Sequence, residues 1–103
     1  MPLELRLIRT FLAVIDHGTV VAASRVCGYS SAAISRQLQT IQQRLGVTLF
    51  ERDGRSIRPT ADALRFAAHA RELIVAAEEL DRHAGTLSAE QDETRVGGDR
   101  ESQ

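Results

Sequence analysis

The chain has 103 residues, 43% of them apolar, which is enough for one small domain and leaves no room for a second globular unit. Aromatics are only 4% with no tryptophan, which speaks against stacking on single-stranded nucleic acid, and one cysteine, Cys27, excludes an internal disulfide. The net charge of −1 hides a split: residues 1–60 carry eight arginines and four acids, whereas residues 61–103 carry five arginines and ten acids.

Leu5, Ile8, Leu12 and Ile15 fall at helical spacing beside Phe11, so residues 3–17 are expected to form a first helix, with Pro2 before it and Gly18 as its stop. Thr19 caps a short second helix that runs to about Cys27 and ends at Gly28. Its Ala22, Ala23 and Ser24 are small enough to admit a close neighbour. Ser30 caps a third helix to about Leu45, with Ala33, Ile34, Gln37, Leu38, Ile41 and Leu45 as its inner stripe and Gly46 as its terminator. Gln37 lies at the edge of that stripe, where it serves either as a buried structural amide or as an outward contact. Helix, glycine turn, helix at this spacing is the helix-turn-helix pattern.

Val47, Leu49 and Phe50 begin a short strand, Asp53-Gly54 makes the turn, and Ile57 lies on the return, forming a wing that Pro59 ends. From Thr60 a long helix carries a heptad. Ala63, Ala70, Ala77 and Ala84 form one column, and Phe66, Leu73, Leu80 and Leu87 form the other. Such a seam serves either a second copy of the helix or the chain's own domain; its length favours the copy. Beyond Ser88 the sequence is polar with a Gly97-Gly98 pair and is expected to be a disordered tail. The expected domains are therefore 1–59, a winged helix-turn-helix; 60–88, a coiled-coil helix; and 89–103, a tail. The fold class is mainly α.

A helix whose outer face offers Ser31, Ala32, Ser35, Arg36 and Gln39 suits base edges in the major groove of double-stranded DNA, where Ala32 supplies only a methyl. Ser30, Thr40, Arg52, Arg55 and Arg58 are the candidates for phosphate contact. Arg52 can instead pair with Glu51 or Asp53. All 13 basic residues are arginine, which suits bidentate contacts to guanine and phosphate, although codon usage would give the same composition. His17, His69 and His83 make no metal motif, and no nucleophile or paired-carboxylate set is evident, so neither a cofactor nor an enzyme is expected. No stretch reaches membrane-spanning length and no signal-peptide pattern is present, and the single cysteine suits a reducing cytosol.

In the stretches SSAAISRQ (Ser30–Gln37) and LGVTLFERDGRSIR (Leu45–Arg58), with Thr60, Leu5, Ile8, Phe11, Val14, Gly18 and Ala23, the chain resembles the N-terminal DNA-binding part of LysR-type transcriptional regulators. The likeness spans about residues 4–88. It implies a winged helix-turn-helix followed by a linker helix, homodimers through antiparallel linker helices, and an inverted-repeat promoter site. The chain departs from the family at Ser31 and Ala32, where Gln-Pro or Pro-Ser is common. It also departs at Ala22, often basic, and at Ala63, often glycine. Family members usually continue into a ligand-sensing domain of about two hundred residues, so no small-molecule effector is expected for this chain. The alternative is a dimerisation or protein-interaction module without an effector domain.

Overall fold

The computed structural model describes residues 3–102, with side chains from 3 to 91. Pro2 lies outside the described residues. The element order is α1 (Leu5–His17), α2 (Val20–Cys27), α3 (Ser31–Leu45), β1 (Phe50–Asp53), β2 (Ser56–Pro59) and α4 (Ala61–Ser102). The chain divides into a unit ending at Glu72 and a second beginning at Leu73.

Caps fix the helix starts as the sequence requires. Thr19 accepts from the Ala22 N–H at 3.0 Å and Ser30 from the Ala33 N–H at 3.1 Å, each satisfying a donor that the first turn leaves free. Gly46 ends α3 in the left-handed region, at φ 72°, with its N–H on the Gln42 carbonyl at 2.8 Å.

The core of the first unit is aliphatic except at one point. Phe11 on α1 is fully buried and meets two other rings. Phe50 at the base of β1 lies 5.7 Å away and Phe66 on α4 5.3 Å away, both tilted toward edge-to-face geometry. Ile8, Val14, Ile34, Ile41 and Leu49 fill the space around them, and Ala23 lets α2 approach closely.

The wing differs in detail from the sequence expectation. β1 starts at Phe50, and Val47 is exposed. The N–H groups of Leu49 and Phe50 both donate to Gln42 Oε1, at 2.8 and 3.0 Å, so a side chain of α3 replaces a ladder partner there. The strands pair antiparallel with Asp53 opposite Ser56, which makes Gly54-Arg55 the two-residue loop, not Asp53-Gly54. Gly54 has φ 65°, and among the described residues only glycines take positive φ, matching a turn that wants glycine first.

Thr60 joins the wing to α4. Its N–H donates to the Leu49 carbonyl at 2.9 Å, its hydroxyl donates to the Thr48 carbonyl at 2.8 Å, and the same oxygen accepts from the Ala63 N–H. The first turns of α4 then lie on the domain, with Ala63, Ala67 and Ala70 buried. Arg71 reaches Asp16 of α1 through two bonds of 2.5 and 3.2 Å. The heptad is thereby divided. Ala63, Phe66 and Ala70 are used within the chain, and only Leu73, Ala77, Leu80, Ala84 and Leu87 remain for another helix. Periodicity could not separate the two uses, because both bury the same kind of stripe.

The helix also continues to Ser102, past the point where a disordered tail is expected. Ala89, Glu90 and Gln91 favour helix and nothing before Gly97 interrupts it.

Two outcomes follow from this packing. Gln42→Leu leaves two backbone donors without their acceptor and should lower the unfolding free energy by about 1–3 kcal/mol, measured by chemical denaturation. The Arg71 guanidinium holds the Asp16 carboxyl below its ordinary 3.8. A lowered folded pKa means that the unfolded chain binds more protons, so stability rises with pH across this range. The contribution should be present above about pH 4 and vanish as pH falls through the depressed value. Because both partners are about half exposed, the wild type should exceed Asp16→Asn by at most ~1 kcal/mol near neutrality, and the two denaturation curves should converge in acid.

Candidate nucleic-acid interface

α3 carries two arginines, Arg36 and Arg44, and no acid. Ile34, Leu38 and Ile41 face the core. On the opposite side Ala32, Ser35, Arg36 and Gln39 are exposed, gathered within roughly 100° of arc at 3.6 residues per turn. The structure thus brings four of the five expected base-contact residues onto one open face. Ser31 is half-buried at its margin, at the entry of the helix.

Ser30 is exposed, and its hydroxyl oxygen is engaged by the cap. Thr40 is half-buried and its hydroxyl donates to the Arg36 carbonyl at 3.0 Å. It sits on the flank of the exposed face, with its hydroxyl proton already engaged. Arg44 is drawn to Glu4 of the chain start, at 3.7 Å, and Arg6 holds the same carboxylate at 2.9 Å. These two bases keep the Glu4 carboxyl below its usual range, Arg6 contributing most.

The wing separates its three arginines. Alternation along the strands places Glu51 opposite Arg58, and their side chains approach to 3.7 Å. Arg52 points to the other face, opposite Ile57, away from both Glu51 and Asp53. The acid beside Arg52 in sequence is therefore the partner of Arg58. Arg55 sits at the tip of the loop, where it shares a shallow hollow with Ser56, Ile57 and the start of α2 at Thr19, Val20 and Val21. The first turn of α2 thus belongs to this edge, and Thr19 is both a helix cap and part of its lining. The signal was its position after Gly18, but only the fold brings it to the wing.

Gln39, Gln42, Gln43, Gly46, Val47 and Thr48 line an open polar groove where α3 ends. Gln42 was absent from the sequence candidates, since one glutamine among several carries no distinguishing pattern. Gln37 turns inward: its Oε1 accepts from the Thr10 hydroxyl at 2.6 Å. Cys27 is half-buried and free. Among the described residues no helix is long and apolar enough to cross a membrane, and no group of three His, Cys, Asp or Glu is placed to hold a metal ion.

Residues 5–64 match the profile described as bacterial regulatory helix-turn-helix protein, lysR family. The chain is similar to the HTH-type transcriptional regulator ClcR of Pseudomonas putida, 42% identical over 72 residues, covering 70% of this chain and 24% of that protein. It is also similar to the transcriptional dual regulator GltC of Bacillus subtilis, 36% identical over 93 residues, covering 82% of this chain and 31% of that protein. The chain spans about a quarter of the length of several curated relatives that it matches. Among solved structures, the CbnR DNA-binding domain in complex with DNA is similar with a TM-score of 0.72 and 34% identity, over 82% of this chain and 98% of that one. The BenM domain in complex with catB site 1 DNA is similar with a TM-score of 0.78 and 26% identity, over 84% of this chain and 97% of that one.

Arg36 stands on the helix face and Arg55 at the tip of the wing. Arg36→Ala should weaken binding to a preferred duplex by about 1–3 kcal/mol while changing binding to unrelated duplexes little. Arg55→Ala should weaken both alike and make the salt slope shallower by about 0.9 for each copy of the chain bound. Fluorescence anisotropy on matched duplexes at several salt concentrations measures both.

Proposed function

The chain belongs to the LysR family of bacterial regulatory helix-turn-helix proteins, and from that premise we propose that it binds promoter DNA as a homodimer and regulates transcription. The observation that carries this reading is the exposed face of α3. Ala32, Ser35, Arg36 and Gln39 stand together on a helix without acids, and the opposite stripe fixes that helix on the domain. An α-helix fits the major groove, and its polar face there meets base edges that distinguish all four base pairs. The wing brings Arg52 and Arg55 to the side, where they hold phosphates or enter the minor groove. Arg58 contributes once it leaves Glu51, an exposed pair that costs little to break. Ser30 adds the N–H groups of the first turn of α3 for a phosphate.

The second copy comes from α4. Leu73, Leu80 and Leu87 are exposed large apolar residues, 37, 66 and 47% accessible, with Ala77 and Ala84 between them. The alanine column lets two such helices come close in an antiparallel pair. Residues 1–59 then serve as the reader and residues 60–88 as the spacer that sets the distance between half-sites. The role is one of binding, without catalysis, in the cytoplasm beside the chromosome. The names of the similar proteins, and the DNA in the similar solved structures, support the same reading.

Selection of bound duplexes from a random pool tests it directly and should return an inverted repeat. Binding to the selected site should fall with salt at a slope of about −3 to −4 if Arg52 and Arg55 of both copies each neutralise a phosphate. Leu80→Asp should shift sedimentation to the monomer and abolish the preference for two half-sites over one. A flat salt response, or a full dimer with Asp at 80, would contradict the corresponding half of the reading.

A further inference from the structure

Thr10 is the one buried polar residue in the core among the described residues, 1% accessible. It sits on α1 amid Leu7, Ile8, Phe11 and Val14, where an aliphatic side chain would be cheaper to bury. Its hydroxyl donates across to Gln37 of α3 at 2.6 Å, a link between residues 27 apart in sequence.

Gln37 has a counterpart on the same helix. The apolar stripe of α3 runs through Ile34, Leu38, Ile41 and Leu45. At 3.6 residues per turn Gln37 lies about 70° to one side of that stripe and Gln42 about 70° to the other. Gln42 is fastened to the backbone at Leu49 and Phe50, and Gln37 to Thr10. The exposed face at Ala32, Ser35, Arg36 and Gln39 is centred about 140° from that stripe, on the side toward Gln42.

Apolar burial is non-directional and sets the roll of a helix only through the fit of its side chains, whereas a hydrogen bond adds a directional constraint that weakens as its length and angle depart from ideal. For a helix roughly 10–12 Å across, a roll of about 10° moves a surface group by about 1 Å. That displacement is enough to break a bidentate contact to a base. We propose that Thr10 and Gln37 are positioning residues for base readout: their bond, with Gln42 on the other flank, sets the roll of α3 and so the sequence preference. Neither touches DNA. The inference rests on α3 being the base-reading helix.

The test uses near-isosteric variants of the full chain, Thr10→Val and Gln37→Met, with Thr10→Ser as the conservative control. For each, affinity is measured for the selected duplex, for single-base variants of it and for an unrelated duplex, beside a thermal melt. Thr10→Val and Gln37→Met should each lower the ratio of specific to unrelated binding by about three- to tenfold, the scale of one neutral hydrogen bond. Affinity for the unrelated duplex and the salt slope should stay unchanged. Thr10→Ser should keep the ratio, and the double variant should lose no more than either single one, because both remove the same bond. Gln37 is half-exposed, so Gln37→Met carries the test if Thr10→Val melts too early to assay. A ratio preserved within about twofold, or equal loss on all duplexes, overturns the proposal. If the wild type itself prefers no duplex, the DNA reading fails first, and that result needs no variant.

Discussion

The three-ring contact at Phe11 is the constraint on which the rest of this small structure depends. A domain with few aromatics has little area to bury per residue, and Phe11 gathers much of it at one point. Its neighbours come from different parts of the chain: Phe50 from the foot of the wing and Phe66 from α4. The wing and the long helix are thereby registered against the same side chain of α1. The wing cannot drift from the domain without opening this cluster, and the start of α4 cannot do so either.

Hydrogen bonds then refine what the rings hold roughly. Gln42 ties the foot of the wing to α3, Thr60 ties the same foot to α4, and Thr10 ties α1 to α3. These are neutral bonds that join different elements, at separations of 7, 12 and 27 residues. They are where directional chemistry enters a core that is otherwise aliphatic. The charged groups behave differently. Glu4, Glu51 and Asp16 each hold an arginine that would otherwise add to the basic surface, while Arg36, Arg52 and Arg55 have no ion pair among the described residues.

The burial of α4 changes along its length. The alanines at 63, 67 and 70 bury against the domain, whereas Leu73, Leu80 and Leu87 stand exposed. Small residues let the start of the helix lie close to its own domain, and the large ones that follow stay exposed. The change from one use to the other falls near the Asp16–Arg71 pair, the last described ion pair along α4.

Much of this was legible in the sequence, because it depends on local chemistry. The caps at Thr19, Ser30 and Thr60, the glycine stops, the inner stripe of α3 and the wing as a hairpin follow from residue types at fixed spacing. So does the outward face of Ala32, Ser35, Arg36 and Gln39, since the side chains opposite a buried stripe must face out. Other features depend on what the fold brings near, and spacing is silent about that. Whether Arg52 or Arg58 meets Glu51 was settled by strand register. Whether Gln37 turns in or out was settled by a hydroxyl 27 residues earlier, and the division of the heptad by where the domain happened to end beneath α4. Periodicity reports that a stripe will be buried; only the tertiary structure decides against what, because burial is a property of the neighbours and not of the stripe.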